Sequence, residues 1–229
     1  MVEHETVYSR QADLYEQLIV REDFLENLPR TIEKITSFKG LNVVELGAGT
    51  GRLTRLIAPK AASITALDLS PHMLAKAAAI LWPKYQGEVS LAAANHVDLP
   101  LPSSSADIII AGWSICYLVS WHPEDWQPLL AKTLSEMRRV LRPRGKIILI
   151  ETQGTGGETP NPPENLIPYY NILENSGFKS TWIRTDYRFN SMAEAEEIAG
   201  FFFGHEMIAN LKKQEKPELP ECTGIWWLP

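Results

Sequence analysis

Five short apolar runs, separated by stretches of helical period, restrict the fold of this chain more than any other feature. They are Leu41–Leu46, Ile64–Leu69, Val89–Ala94, Asp107–Gly112 and Lys146–Glu151. None alternates strictly between apolar and polar residues, so neither side is reserved for water. Such runs suit strands buried on both faces, as in a parallel sheet covered by helices. The helices between them have legible ends. Ser70-Pro71 supplies an N-cap and a proline at the first helical position, ahead of Met73–Leu81. Trp126, Leu129, Leu130, Leu134, Met137 and Leu141 form one core-packing stripe, and that helix is predicted to stop at Arg142-Pro143-Arg144-Gly145. Strand and helix in alternation predict an α/β, doubly wound sheet.

The last third reads differently. Glu151–Glu164 is rich in Gly and Pro and predicts a loop, followed by a helix over Asn165–Asn175 closed by Gly177. Next come a strand at Thr181–Phe189, one long helix from about Met192 to Lys213, and a final strand near Thr223–Leu228. Ser191 and Glu194 have the spacing of a capping box, and Gly200 and Gly204 interrupt the long helix. With 229 residues, 45% of them hydrophobic, the chain suits one packed domain rather than two. We expect a helical cover at 1–38, a ligand-binding core at 39–151, and a C-terminal part at 152–229 with a helical insertion at about 191–214.

A net charge of −6 gives no long-range attraction to phosphate backbones or anionic lipid, so neither nucleic acid nor a membrane surface is the expected partner. No apolar run approaches the length of a membrane span. The start, Met1-Val2-Glu3-His4-Glu5, is too acidic for a secretory signal, and Cys116 and Cys222 lack metal or redox spacing. These features predict a cytoplasmic enzyme or binding protein without a metal.

The segment Val43-Val44-Glu45-Leu46-Gly47-Ala48-Gly49-Thr50-Gly51 carries the chemistry. A buried strand runs into three alternating glycines, and a helix begins near Gly51. Glycines serve where backbone turns sharply and a ligand approaches without a Cβ in the way. A second strand ends at Asp68, whose carboxylate can accept both hydroxyl hydrogens of a ribose. The dinucleotide fingerprint G-x-G-x-x-G brings a helix N-terminus against pyrophosphate. Here the spacing is G-x-G-x-G, with Glu45 beside the ligand path, where it would repel pyrophosphate and favour an ammonium group. S-adenosyl-L-methionine, with a ribose, an amino-acid end, a sulfonium and no phosphate, matches these charges better.

Glu45–Gly51, Asp68, Asn95–Leu101, Asp107–Trp113 and Glu136–Ile150 resemble the successive motifs of class I S-adenosylmethionine-dependent methyltransferases. The similarity is greatest to the small-molecule branch that includes ubiquinone- and menaquinone-pathway enzymes, notably over Met137–Lys146. It covers Leu41–Glu151 and is weaker beyond. The resemblance implies a seven-stranded, three-layer Rossmann-like sandwich of order 3-2-1-4-5-7-6 with strand 7 antiparallel. It also implies that Glu45, Gly47, Ala48, Gly49 and Gly51 line the methionine and ribose end, that Asp68 binds the ribose, and that Leu69 packs on adenine. The family's adenine-binding acid is replaced by Asn95, next to His96; Asn95 can still accept through its side-chain oxygen. Gly112 and Trp113 follow strand four at the switch point, and Tyr15 lies in a segment similar to the family's cofactor-covering helix.

In-line methyl transfer needs no protein nucleophile, and positioning alone can offset about 7–11 kcal/mol of a barrier. A general base is needed only if the acceptor must lose a proton. Tyr117 and Trp113 could wall an acceptor pocket or pack in the core, and Tyr117 and His205 are the candidates for a catalytic role. His96, His122 and His205 are base candidates by type, with surface or packing roles as the plainer account. Phe201, Phe202 and Phe203 are consecutive and cannot share one helix face, so some should meet a hydrophobic acceptor or a second copy in a homodimer. Two rival readings stand beside a methyltransferase acting on a small-molecule acceptor. One is an NAD(P)-dependent oxidoreductase or epimerase, opposed by the glycine spacing and the lack of a Tyr-x-x-x-Lys pair. The other is a non-catalytic S-adenosylmethionine-binding protein.

Overall fold

A computed structural model of the chain describes residues 11–213 and 216–228, the side chains at 205, 210 and 213 excepted. In chain order the elements are α1 (Ala12–Ile19), α2 (Asn27–Ile35), β1 (Asn42–Leu46), α3 (Arg52–Ile57), β2 (Ser63–Asp68), α4 (Pro71–Tyr85), β3 (Val89–Ala93), β4 (Ala106–Gly112), α5 (Cys116–Trp121), α6 (Trp126–Val140) and β5 (Leu141–Thr155). The remainder comprises α7 (Ile167–Asn175), β6 (Lys179–Arg184), β7 (Tyr187–Arg188), α8 (Met192–Phe203), α9 (His205–Lys213), β8 (Glu218–Leu219) and β9 (Glu221–Leu228).

Seven strands form one sheet in the order β3-β2-β1-β4-β5-β9-β6. The first five run parallel, and β9 lies antiparallel between β5 and β6. This is the order the resemblance implied, with β9 as its seventh strand. The apolar runs follow from burial on both faces. Val44, Leu46, Ile109, Ala111, Ile147 and Leu149 face a core closed by α5, α6 and α7. Their neighbours Val43, Ile108, Ile110, Ile148 and Ile150 face the opposite core, closed by α2, α3 and α4. Successive strand residues point to opposite faces, and here each face meets helices. Water reaches neither face at these central strands, whereas β3 at the sheet edge leaves Ser90, Ala92 and Ala93 exposed, so the expected run Val89–Ala94 is not buried on both faces.

The C-terminal third departs from expectation in detail. The long helix is two helices: Gly200 sits inside α8, whereas Gly204 takes φ +83° and ends it. Ser191 Oγ caps α8 by accepting from the Glu194 N–H at 3.1 Å, but the Glu194 carboxylate bonds to Asn190 rather than returning to Ser191. The expected strand Thr181–Phe189 is divided between β6 and β7, and β7 pairs with β8 in a separate two-stranded sheet. β5 extends through Thr155, taking the first residues of the expected loop. The Arg142-Pro143-Arg144-Gly145 turn already lies within the extended run of β5. The α1, α8, α9, β7 and β8 elements share a third, smaller core around Leu18, Tyr187, Ile198 and Leu211. Among the described residues, no helix is long and apolar enough to cross a membrane.

Candidate functional site

β1 delivers the chain into the glycine turn at its C-terminal end, and the three glycines there serve different purposes. All three have positive φ, at +67°, +55° and +89° for Gly47, Gly49 and Gly51. A Cβ on Gly47 would stand 2.2 Å from Ser114 Cβ, and one on Gly51 would stand 2.8 Å from Leu81 Cδ1. Those two are required by protein packing. A Cβ on Gly49 would meet nothing nearer than Met73 Cε and Tyr15 Cε1, both at 3.7 Å. Those are ordinary van der Waals distances, so packing alone does not forbid a side chain at Gly49 and its left-handed backbone is what favours glycine there. Gly112 belongs with the packing pair, since a Cβ there would come within 2.7 Å of Leu53 Cδ1.

β2 ends beside this turn. Asp68 Oδ2 accepts from the Gly49 N–H at 2.8 Å, and Oδ1 accepts from the Ser70 N–H at 2.7 Å. Burial raises the Asp68 pKa against the opposing pull of these donors. A carboxylate has about four acceptor positions, so both oxygens retain capacity for ligand hydroxyls. The next residue, Leu69, is 61% exposed, an apolar side chain held in the open beside an acid. Glu45 is buried and accepts from the Thr54 hydroxyl. Burial pushes its carboxyl up to about 8; the Thr54 bond opposes that shift and the Asp68 charge adds to it. A cation close by would restore its ionised form. Ala48 is buried, and its N–H bonds to the Leu67 carbonyl at 2.9 Å, tying the turn to β2.

Asn95 and His96 follow β3. Asn95 is exposed, and its Oδ1 accepts from the Val97 N–H at 3.2 Å. His96 Nε2 lies 3.7 Å from where a Gly47 Cβ would stand, and burial lowers its pKa to about 4, which keeps it neutral at pH 7. His122 is largely exposed and lies 3.9 Å from Asp125. His205 opens α9, but its side chain is outside the described residues.

A cavity of about 280 Å³ is lined by residues that follow the C-terminal end of β4 and by the far end of β5. Tyr15, Trp113, Tyr117, Phe202 and Phe203 give it aromatic walls. Tyr15 also touches the space above Gly49, so the glycine turn and the cavity share one wall. Trp113 takes φ +48°, a genuine outlier for a bulky residue, and such strain collects at functional sites. Its N–H donates to the Ile150 carbonyl at 2.6 Å, and the Arg52 guanidinium sits 4.1 Å from its ring centroid. Tyr117 stacks on Trp121 at 4.7 Å while still lining the cavity.

The polar part of this cavity was not foreseen. Arg52 Nη1 meets Glu22 Oε2 at 2.5 Å, and the Tyr187 hydroxyl donates to the same oxygen at 2.8 Å. Thr152 Oγ1 donates to Glu221 Oε1 at 2.8 Å. Burial pushes the Glu221 carboxyl up to about 8, helped by the neighbouring Glu22 charge. Glu22 and Glu221 stand near opposite ends of the described chain, and only the fold brings them together. Glu221, an acid opening an otherwise apolar final strand, was the one signal available.

A parallel Rossmann-like sheet with an antiparallel strand inserted near its edge, a glycine turn after β1 and an acid ending β2, defines the class: a nucleoside-cofactor enzyme fold. Residues 44–149 match a family described as a methyltransferase domain. Over that stretch, a little under half of its length, the chain is similar to this family. It is 30% identical over 116 residues to a demethylmenaquinone methyltransferase of Symbiobacterium thermophilum, a match covering 49% of this chain and 43% of that one. Phosphoethanolamine N-methyltransferase 1 of Triticum aestivum is 28% identical across 56% of this chain and 24% of its own length. The matches thus span less than half the length of these relatives. Among solved structures, YcgJ from Bacillus subtilis superimposes with a TM-score of 0.60 at 15% identity, covering 89% of this chain and 97% of that one. A SAM-dependent methyltransferase from Aquifex aeolicus gives 0.56 at 16% identity, covering 87% and 88%. At these identities the superpositions show the fold.

Proposed function

We propose that the chain is an S-adenosylmethionine-dependent methyltransferase acting on a small molecule held in the aromatic cavity beside Gly49. The observation that carries this reading is the glycine turn after β1, where the Asp68 carboxylate accepts from the Gly49 N–H and Tyr15 stands against the turn. The residues fit the cofactor. Asp68 would take the ribose hydroxyls, Leu69 would lie against the adenine, and Asn95 and His96 would border it. Gly47, Ala48, Gly49 and Gly51 would shape the turn around the amino-acid end, with Glu45 beneath, and Tyr15, Gly112 and Trp113 would bound the path to the acceptor. Among the described residues the arginines of α3 are already engaged, Arg52 with Glu22 and over Trp113 and Arg55 with Glu16, and so are not free to meet a pyrophosphate. That disfavours the nicotinamide reading.

The bound cofactor supplies an electrophilic methyl group. The chain's own contribution is positioning, with Tyr15, Phe202 and Phe203 supplying apolar walls that would limit water around a bound acceptor. The three segments, 1–38, 39–151 and 152–229, act as one unit in this reading, since α1, α8 and β9 all contribute residues to the cavity. The net charge of −6 supports a small acceptor over nucleic acid. Both cysteines are unpaired, as a reducing compartment such as the cytoplasm allows.

Calorimetry with S-adenosylhomocysteine and NAD, joined to transfer of labelled methyl groups to an acceptor panel, tests the proposal. One-site binding of S-adenosylhomocysteine, its loss in Asp68→Ala while that variant remains folded, and label appearing in an acceptor are expected. Binding of NAD in its place overturns the assignment. Tight S-adenosylhomocysteine binding with no label ever leaving the donor favours the non-catalytic reading.

A further inference from the structure

The acceptor cavity has an acidic wall that the cofactor reading does not use. Glu22 and Glu221 both line it, each with a side chain about 3% exposed. Each also keeps one buried oxygen without a hydrogen-bond partner, Oε1 of Glu22 and Oε2 of Glu221. Buried acceptors are normally satisfied, and leaving one bare costs about 1–3 kcal/mol. Both side chains line the one cavity, so a hydrogen-bond donor bound there is the nearest further partner for them. The charges say which kind. Among the described lining residues Arg52 is the one cation, and Glu22 already holds it at 2.5 Å. That pair is neutral, which leaves Glu221 as the acid of the lining that a bound cation could ionise.

We propose that the acceptor is an amine on an apolar body, bound as its ammonium ion against Glu22 and Glu221, with Glu221 accepting its proton. This rests on the methyltransferase reading for its purpose, not for its geometry. An ammonium group offers the N–H donors that both oxygens lack and the positive charge that Glu221 lacks. Aromatic faces from Tyr15, Tyr117 and Phe202 accommodate an organic cation within the same cavity. A carboxylate or phosphate ligand would meet two acids and an arginine already taken, and a neutral alcohol would bring no charge to ionise Glu221. The proton step is balanced within the cavity: R–NH3+ and the Glu221 carboxylate become R–NH2 and the carboxylic acid, freeing the nitrogen lone pair. The groups facing Glu221 are Thr152 and Thr155 from β5, Glu22 from the segment after α1, Arg52 from α3 and Tyr187 from β7. In the empty cavity burial holds Glu221 protonated near neutral pH. Binding an ammonium ion there should expel that proton.

Benzylamine, benzyl alcohol and benzoate are suitable probes of similar shape and different charge. Each is titrated calorimetrically into the chain at pH 7, with and without S-adenosylhomocysteine, in buffers of differing ionisation enthalpy. We expect benzylammonium to bind at least tenfold more tightly than the alcohol, with benzoate weakest, and to release up to one proton per site. Glu221→Gln should abolish both the preference and the proton release while leaving alcohol binding unchanged. Glu221→Asp should retain the preference at lower affinity, which separates loss of charge from loss of fold. Equal binding of the three probes, or an amine preference surviving in Glu221→Gln, overturns the inference. If S-adenosylhomocysteine binds and the amine preference is absent, this inference alone fails. If the amine binds through Glu221 and S-adenosylhomocysteine does not bind, the cofactor reading fails and the amine site stands.

Discussion

Gly49 and Gly51 are two residues apart, share a left-handed backbone, and should respond to the same substitution in opposite ways. Alanine at either position incurs the left-handed penalty of about 1–2 kcal/mol. At Gly51 the new Cβ would also stand 2.8 Å from Leu81 Cδ1, and Leu81 is fully buried between α3 and the sheet. Overpacking of that kind costs about 1–3 kcal/mol more. Gly51→Ala should therefore destabilise the fold by about 2–5 kcal/mol. At about 2–4 °C per kcal/mol for a chain of this size, the melting temperature should fall by about 4–20 °C. At Gly49 the nearest atoms are 3.7 Å away, so only the backbone term applies and the fall should stay near 2–8 °C. Binding should separate the two variants as well. The Gly49 Cβ enters the space assigned to the cofactor, so Gly49→Ala should lose S-adenosylhomocysteine affinity by at least tenfold while remaining folded. Differential scanning calorimetry and titration calorimetry on the same preparations measure both effects. Equal destabilisation of the two variants, or unimpaired binding by Gly49→Ala, refutes the division of roles.

Two other outcomes follow from the same geometry. Leu69→Ser removes an apolar side chain that is 61% exposed, so stability should change by no more than about 0.5 kcal/mol. If ligand covers that side chain, about 1.5 kcal/mol or more of burial is lost, and the dissociation constant for S-adenosylhomocysteine should rise about tenfold. The second outcome concerns pH. Glu45 and Glu221 have carboxyls pushed up to about 8, and that of Glu151 is pushed to about 7, in each case chiefly by burial. A folded-state pKa above the unfolded value means the native chain binds more protons between them. Their contribution is therefore fully present below about pH 4.5 and is lost as pH rises through 7 to 8. The melting temperature should decline over that window, and Glu221→Gln should flatten part of the decline. A melting temperature that rises from pH 5 to pH 8.5 contradicts the burial argument.

The parts of this fold legible in the sequence were those set by local pattern. Continuous apolar runs predicted two-faced burial, and the structure supplies a separate core on each face of the sheet. Ser70 was legible as a cap because its hydroxyl acts three residues on, at the Met73 N–H. Gly200 and Gly204 were indistinguishable as letters. Gly200 is helical and packs against Ile208, whereas Gly204 takes a positive φ, a difference set by how α8 and α9 fold together. β7 and β8, two residues each, are too short to show a period. The glycine turn and Asp68 were visible as a motif, but the differing reasons for its glycines required knowing that Ser114 and Leu81 pack there. The Glu22–Arg52–Glu221 wall was invisible because its members come from three distant segments. An isolated Glu in a sequence is far more often a surface residue than one buried in a cavity.

A structure of the chain grown with S-adenosylhomocysteine tests the central claim most directly. The account predicts ribose hydroxyls within hydrogen-bonding distance of the Asp68 carboxylate, the adenine against Leu69, and the amino-acid end running past Gly49. Density lying elsewhere, or a pyrophosphate compound occupying the turn after β1, would contradict it.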